Sequence, residues 1–321
     1  IILVVLSLLP VMEVIVRNVF RTGIPGSNEY ILHLVLWVTF LGGMITSREK
    51  RHLALSVGIE AAPARLRSRI DIFNAFMGTA LTTAFAWSAL SFVILGFHGS
   101  MRIGFIPVQI VAAIMPIGYA VMAGRFIHAV PKNGGGKAIA GIGVIVGTFF
   151  AIGPITNILY TFFFTMPVFV DTLQFFYFDV MRIIGIPVII LLIISTFSGT
   201  PLFVVLGGVA FMLFARLNAP LEIIANEGYT MLTGKTLPAI PLFTLTGFFL
   251  SESNAGKRFV NLFQSVFGWL PGGLAIMAVL VSTFFTTFTG ASGVTILALG
   301  ALLFYVLVKS GKYKENFSRG L

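Results

Sequence analysis

Long apolar runs, one after another, constrain this chain more than any other feature of its sequence. The first four lie at residues 1–20, 29–47, 70–97 and 105–128, and each is long enough for a helix that crosses a bilayer. Hydrophobic residues make up 57% of the chain and charged residues only 10%, far below the roughly 25% typical of soluble domains. The sequence therefore predicts an all-α integral membrane protein.

The basic residues predict which loops face the cytoplasm. They cluster between the second and third runs and after the fourth run, at Arg48, Lys50, Arg51, Arg65, Arg67, Arg69, Arg125, Lys132 and Lys137. The opposite loops hold only Arg17, Arg21 and Arg102. Positive-inside topology thus accounts for the net charge of +10, and no nucleic-acid partner is expected. The chain has no cysteine, which excludes disulfides and thiolate metal sites.

A proline and a glycine run mark a junction between two units. PKNGGGK, residues 131–137, combines a helix stopper with a flexible segment. The following run, 138–164, is interpreted as a connector helix that crosses outward, which puts the aromatic stretch 165–179 at the outer interface. The predicted division is a four-helix unit at 1–131, a connector with its interfacial segment at 132–179, and a second unit at 180–321.

The apolar runs of the second unit are interrupted more often than those of the first. A Gly and Pro signal at Phe197–Leu202 predicts a break that splits one long apolar run into two helices. LPAIPLFTLTGFFL, Leu237–Leu250, is short for a span and favours a re-entrant segment or hairpin arm. Residues 257–267 alternate apolar and polar faces at helical spacing, as in a helix that lies in the membrane interface.

The stretch FTGASGVT, Phe288–Thr295, places glycines and hydroxyl side chains between two apolar runs. An open backbone is tolerated at membrane depth only where it is buried in protein or faces a polar cavity. Carbonyl and hydroxyl oxygens, including that of Thr295, suit an alkali cation, whereas the same small residues also suit close helix packing. The residues alone leave both interpretations open. The candidate ion-site residues are Thr289, Gly290, Ala291, Ser292 and Gly293.

Catalysis is not expected. Gly290–Gly293 matches the GxSG motif of rhomboid-type intramembrane serine proteases, whose general-base histidine lies on a later helix. All four histidines of this chain precede Ser292, and the sequence contains neither HExxH nor GxxxxGK[ST]. His33 is interpreted as a hydrogen-bonded packing residue. Glu13 and Arg17 stand four apart in the first helix, a spacing that predicts an ion pair, and Asp179 and Arg182 are a second candidate pair in the outer segment.

Several stretches resemble the membrane subunits of tripartite ATP-independent periplasmic (TRAP) transporters. LPAIPLFTLTGFFL and the segment GWLPGGLAIMAVLVSTFFTTFTGASGVTILALGALL look like the large subunit, and GTPLFVVLGG at 199–208 is similar to its first conserved stretch. Residues 1–130 look like the small four-helix subunit, including Glu29 and the basic SREKRHLALSV. The chain therefore resembles a fusion of the small (Q) and large (M) subunits.

The resemblance implies a function and a mechanism. Family members are sodium-driven secondary transporters that import organic acids across the bacterial inner membrane and receive them from a periplasmic solute-binding protein. Their large subunit has two inverted repeats, each with a helical hairpin and a broken helix, and works by an elevator-type mechanism on a small-subunit scaffold. Na⁺ is the implied coupling ion, and Thr289–Gly293 match the segment that supplies ligands to one sodium site. No residue stands out as a substrate anchor.

The family's second repeat would begin about where SGKYKENFSRGL ends this chain. The resemblance thus implies a large subunit truncated after its first half, with the second half as a missing partner. Two other functions remain possible: a sodium-coupled organic-anion carrier that works without a binding protein, and a non-transporting membrane scaffold or assembly subunit.

Overall fold

The computed structural model describes residues 1–50, 52–55, 63–130, 135–163, 167–252, 255–289, 292–310 and 313–321. This part of the chain divides into two compact units. The N-terminal unit comprises Glu13–Thr233, and the C-terminal unit comprises Gly234–Leu321 with Leu3–Met12. Among the described residues, five helices are long and apolar enough to cross a membrane, or six if one bent pair counts as a single span. The expected all-α, multi-pass membrane fold is confirmed at this level.

The helices up to Thr233 follow the predicted runs closely. They are α1 (Ile2–Phe20), α2 (Ser27–Glu49), α3 (Ala64–Leu95), α4 (Val108–Ala112), α5 (Ile114–Ala129), α6 (Gly136–Phe150), α7 (Ile152–Phe162), α8 (Val168–Phe197), α9 (Leu202–Arg216) and α10 (Glu222–Leu232). The predicted break at 197–202 is confirmed, because α8 ends and α9 begins at those residues. A small antiparallel hairpin of β1 (Arg102–Ile103) and β2 (Ile106–Pro107) precedes α4 and was not predicted.

Helix α3 is the centre of the N-terminal unit. It packs against α5, α6, α7, α9 and α10, and its side chains Leu81 and Phe85 are buried in the core. Met115 of α5 and Phe211 of α9 join the same buried cluster. The predicted four-helix unit and the first helices of the predicted second unit therefore share one core.

The first helix of the predicted connector packs tightly on the N-terminal unit, because α6 lies directly on the backbone of α3. A Cβ added at Gly143 would lie 2.8 Å from the carbonyl oxygen of Phe76, and one added at Gly147 would lie 2.2 Å from that of Ala80. Only glycine fits at such a distance, so these two positions set how closely the helices approach.

The connector also bends by 58° where α6 gives way to α7, a feature that the sequence analysis missed. Pro154 has no N–H, so the carbonyl of Phe150 loses its partner four residues ahead. The buried hydroxyl of Tyr177 on α8 donates to that carbonyl at 2.8 Å. The bend is thus stabilised by a side chain from another helix, as backbone at membrane depth requires.

Three polar contacts join α2 and α3 to α8, α9 and α10. At the α8–α9 break, Asn74 donates to the Ser198 carbonyl at 2.7 Å and accepts from the Thr200 hydroxyl at 2.8 Å. Near the other end of α3, Ser91 donates to the Glu222 carboxylate at 2.7 Å.

The third contact is between α2 and α10. His33 places Nε2 2.7 Å from the Tyr229 hydroxyl and Nδ1 2.7 Å from the Glu29 carbonyl. Since a carbonyl only accepts, Nδ1 carries the proton of this bond. His33 is therefore hydrogen-bonded at both nitrogens, as predicted.

Some of the other predictions are confirmed and some are not. Glu13 and Arg17 form the predicted ion pair at 2.8 Å. Asp179 and Arg182, both among the described residues, form no such pair. Helix α8 runs unbroken from Val168, so the stretch predicted at the outer interface forms its first turns and the boundary at 179/180 falls inside a helix. The three-part division of the chain stays a prediction.

The C-terminal unit contains shorter helices. They are α11 (Ala239–Glu252), α12 (Ala255–Phe267), α13 (Gly273–Thr289), α14 (Ser292–Tyr305), a π-helical turn (Val306–Ser310) and α15 (Glu315–Gly320). The amphipathic helix predicted at 257–267 forms as α12. Its Phe263 and Phe267 rings stack at 6.1 Å against the buried cluster, whereas Leu262 and Val266 are exposed.

Candidate functional site

The predicted ion-site residues lie where two helices meet. Thr289 is the last residue of α13, and Ser292 and Gly293 are the first two of α14. Gly290 and Ala291 lie outside the described residues.

The two helices fold back on each other. Met277 and Val281 near the start of α13 share one buried cluster with Leu303 and Leu307 near and beyond the end of α14. These residues are too far apart in sequence to meet unless the helices run antiparallel. The apolar cluster thus holds both helices and fixes the position of the residues between them.

A pair of hydroxyls connects α13 and α14 close to their junction. Thr286 Oγ1 and Thr295 Oγ1 are 3.0 Å apart, and Thr286 also donates to the Ser282 carbonyl at 2.7 Å. Since Thr286 has a single hydroxyl proton, the Thr295 hydroxyl is the donor between the two. Thr295 is 4% exposed, so its oxygen lies inside the unit rather than on its surface.

A cavity of about 570 Å³ in the C-terminal unit borders this pair. Ser282, Thr286 and Thr295 give it oxygens, and the rest of its wall from these helices is mainly apolar. Arg319 of α15 also lines it, with its guanidinium 3.2 Å from Glu315 and 5.8 Å from the Phe304 ring centre. The cavity therefore combines neutral oxygens with one cationic group.

The helix ends add fixed partial charges. The final turn of α13 has carbonyls without partners in the helix and a partial negative charge, which favours a cation. The first turn of α14 carries a partial positive charge, which favours an anion. The junction thus brings together environments of opposite sign.

The donor set at the junction fits an alkali cation. Hydroxyl oxygens and backbone carbonyls are hard, uncharged ligands of the kind that hold Na⁺ between broken helices. Among the residues with described side chains, Thr286 and Thr295, which pair across the junction, would supply hydroxyl oxygens. The structure brings Thr295 against Thr286, a residue that the sequence analysis did not single out.

Sequence reasoning missed Ser282, Thr286 and Arg319. Ser282 and Thr286 stand four apart on α13, so their shared helix face was a readable signal. Arg319 follows the last apolar run by several residues, and no pattern indicated its place beside the cavity.

Comparison with known proteins identifies two consecutive family matches. The family described as tripartite ATP-independent periplasmic transporters, DctQ component, matches residues 6–132. The family described as tripartite ATP-independent periplasmic transporter, DctM component, matches residues 175–321.

Individual relatives also belong to TRAP transporters. The isethionate TRAP transporter permease protein DctMQ of Oleidesulfovibrio alaskensis is 21% identical over 92% of this chain and 44% of its own length. The C4-dicarboxylate TRAP transporter large permease protein DctM of Vibrio cholerae is 32% identical over 44% of this chain and 28% of its own length. The ectoine TRAP transporter large permease protein TeaC of Halomonas elongata is 27% identical over 35% of this chain and 26% of its own length. The chain thus spans less than half the length of these relatives.

The fold is that of a multi-pass helical membrane protein, and the family matches indicate a transporter permease. The chain belongs to the TRAP transporter family, with its small and large membrane components fused in one polypeptide.

Proposed function

We propose that the complete protein imports a small organic acid across the bacterial inner membrane by sodium-coupled secondary transport. The observation that carries the proposal is the hydroxyl-lined junction of α13 and α14 beside a cavity of about 570 Å³. Membership of the TRAP family supports it, because the isethionate and C4-dicarboxylate relatives are named as transporter permeases for organic anions.

The junction gives a physical basis for coupling. Oxygens of Thr286, Thr295 and the end of α13 favour a cation, and the start of α14 favours an anion. Each charge placed at the junction offsets the other, so binding of one raises the affinity for the other by the same factor. A state that needs both ligands is then populated only when sodium and substrate are present together.

The substrate class proposed is a small carboxylate or related organic anion. The cavity is lined by one guanidinium, from Arg319, and by the Ser282 hydroxyl, and both groups can donate hydrogen bonds to an acid group. The names of the relatives include isethionate, C4-dicarboxylates and ectoine, so sequence similarity favours no single compound as the substrate.

The proposed mechanism needs a rigid part and a moving part. The N-terminal unit suits the first role, because glycine contacts and polar contacts fix α6, α8, α9 and α10 to α3. We assign the re-entrant hairpin to the segment that contains Leu237–Leu250, and the second half of the large subunit and the elevator-type movement to the complete transporter. A periplasmic solute-binding protein is the proposed source of the substrate.

The test uses the complete gene product in proteoliposomes with its periplasmic binding protein and a panel of labelled organic acids. An inward sodium gradient is compared with an equal potassium gradient. Uptake that requires both sodium and the binding protein is expected. Sodium-dependent uptake without the binding protein would instead indicate a stand-alone carrier, and uptake indifferent to sodium would refute the site.

A variant links the result to the junction. Ser292→Leu places a bulky side chain at the first position of α14 and is expected to abolish sodium-dependent uptake while the protein still assembles. Thr283→Val is a matched control, because the Thr283 side chain is exposed and its hydroxyl only donates to the Val279 carbonyl. Unchanged uptake by Ser292→Leu would defeat the assignment.

A further inference from the structure

An apolar groove runs along the N-terminal unit between α5 and α6, with α3 as its floor. Its volume is about 430 Å³. Ala120, Ala123 and Gly124 of α5, Trp87 of α3 and Val144 of α6 are among its lining residues. Trp87 and the α5 residues lie within helices long enough to span the membrane, and Val144 lies in the bent pair of α6 and α7 that counts as a sixth span. The groove is therefore at the depth of lipid chains.

Small residues on one face of α5 create the groove. A Cβ added at Gly124 would meet no atom within 4 Å, whereas one added at Gly118 on the same helix would lie 2.6 Å from Phe40. The indole N–H of Trp87 donates to the Thr148 hydroxyl at 3.3 Å, so this ring offers the groove its carbon surface. The groove is therefore open space bounded by apolar atoms and not a site of helix contact.

The length of the groove fits one leaflet of a bilayer. On α5 it extends from Pro116 to Ile127, which corresponds to about 16 Å at 1.5 Å per residue. Half of a hydrocarbon core of roughly 30 Å is about 15 Å. One extended acyl chain thus matches the groove from end to end.

Basic side chains stand at the Ile127 end of the groove. His128 lies one turn beyond Gly124, and its Nδ1 donates to the Gly124 carbonyl at 2.7 Å, so Nε2 donates to a phosphate oxygen when the ring is protonated. Lys137 is exposed and lies two turns before Val144 on the same face of α6.

Other charges at these helix ends are engaged elsewhere or lie on other helices. Lys50 donates to the Ala129 carbonyl at 2.6 Å, and Arg125 donates to the Met44 carbonyl. The acidic residues Glu49 and Asp71 belong to α2 and α3, not to the two helices that form the rim. The rim of the groove at this end is therefore basic.

We propose that this groove binds one anionic phospholipid, with an acyl chain along Ala120 and Gly124 and its phosphate at His128 and Lys137. The apolar wall fits the chain, the length fits one leaflet, and the cationic rim selects the negative headgroup. The site is independent of the proposed transport function.

Native mass spectrometry of the full chain in dodecyl maltoside tests the proposal. The protein is titrated with phosphatidylglycerol and with phosphatidylcholine of the same chain length. One phosphatidylglycerol is expected to remain bound at concentrations at least fivefold below those needed for phosphatidylcholine. Equal retention of the two lipids would overturn the proposal.

Glycine variants localise the binding. Gly124→Phe fills the groove and is expected to remove the preferential retention, whereas Gly141→Phe, on α6 and also in open space, should retain it. The double variant His128→Gln/Lys137→Gln should bind phosphatidylglycerol no better than phosphatidylcholine. Wild-type retention by Gly124→Phe would show that the lipid binds elsewhere.

A second measurement needs no change in the groove's shape. Phosphatidylglycerol with brominated acyl chains is expected to quench the fluorescence of Trp87, and the quenched component should be missing in Trp87→Phe. The same quenching in wild type and Trp87→Phe would contradict the proposed position of the chain.

Discussion

Two regions of the molecule place small residues at membrane depth and use them in different ways. On α6, Gly143 and Gly147 bring two backbones together, and a Cβ at Gly147 would lie 2.2 Å from the Ala80 carbonyl oxygen. At the α13–α14 junction, Thr286 and Thr295 place two hydroxyl oxygens 3.0 Å apart beside a cavity. Side-chain size decides the packing in the first region, whereas in the second region the hydroxyl oxygens are the proposed ion ligands.

The difference shows why a glycine-rich pattern alone does not identify an ion site. Helices in a bilayer gain little from apolar contact with each other, so close backbone approach stabilises their association and favours glycine. An ion site needs oxygens that face a cavity and not another backbone. The distinguishing feature is therefore the set of hydroxyls near the glycines and what they face.

The largest effect is expected from Gly147→Leu in the packing region. The added side chain has to displace the backbone of α3 around Ala80, which cannot move without disturbing the core of the N-terminal unit. Overpacking of this kind costs about 3 kcal/mol or more where backbone must shift. Loss of the monodisperse peak in size-exclusion chromatography, or a large fall in the thermal midpoint, is the expected result.

The matched control is Gly141→Leu on the same helix. A Cβ at Gly141 meets nothing within 4 Å, so this variant changes the side chain equally without a clash. It should keep the wild-type thermal midpoint within a degree or two. If Gly147→Leu were as stable as Gly141→Leu, the account of α6 as a glycine-packed helix would be wrong.

The second effect is expected at the junction, from the double variant Thr286→Val/Thr295→Val. Valine keeps the shape of threonine and removes the hydroxyl, so folding should change little while cation ligands are lost. In the complete transporter, the sodium concentration for half-maximal uptake is expected to rise at least about tenfold, which corresponds to about 1.4 kcal/mol.

Thr287→Val serves as the control for that variant. Thr287 also lies on α13, but it is exposed and its hydroxyl donates to the Thr283 carbonyl. Its sodium dependence should equal that of the wild type. A double variant with normal sodium dependence would remove the distinction drawn between the two regions.

Much of the fold followed from apolar periodicity and helix-breaking residues. The spans at the start of the chain, the break at Phe197–Leu202 and the Glu13–Arg17 pair were all readable, because each depends on residues near in sequence. The bend between α6 and α7 was not, although Pro154 marks it, because its stability depends on Tyr177 from α8.

The candidate site was readable only in part. Glycines and hydroxyls indicated the junction, but Thr286 was missed because its role depends on the antiparallel packing of α13 and α14. The glycines of α6 were interpreted as part of a connector, since contact with Ala80 is a tertiary fact that no spacing reveals. Local sequence patterns located the helices and the junction. The roles of individual residues depend on contacts between helices, which local patterns do not reveal.

A third, smaller effect concerns the polar contacts that hold the N-terminal unit. Glu222, at the start of α10, accepts from Ser91 at 2.7 Å and from Asn157 of α7 at 2.8 Å. Both bonds end on Oε1, so Glu222→Gln keeps an acceptor there but removes the charge that strengthens them, and is expected to lower the free energy of unfolding by about 1 kcal/mol. The thermal midpoint in detergent measures it.

Glu227→Gln, an exposed position on the same helix, is the control for Glu222→Gln and should leave the midpoint unchanged. Equal midpoints for the two variants would mean that glycine contacts and apolar packing alone fix α10. In that case the polar contacts would add nothing to the rigidity proposed for the N-terminal unit.

The smallest effect tests a further use of small polar side chains, in the segment after α2. There the hydroxyls of Ser47 and Thr46 contact the two ring nitrogens of His52, at 2.7 and 3.2 Å. Burial lowers the pKa of His52 below its ordinary value of 6.5. Lys50 and Asp71 line the same cavity as this ring.

Because the unfolded chain binds a proton on His52 more readily than the folded chain, the contribution of His52 to stability decreases as the pH falls through 6.5 and levels off below its folded pKa. His52→Asn removes that titration. Between pH 7.5 and 5.5 the thermal midpoint of the wild type should therefore fall more than that of His52→Asn. Parallel decreases would show that the folded structure does not disfavour protonation of His52 relative to the unfolded chain.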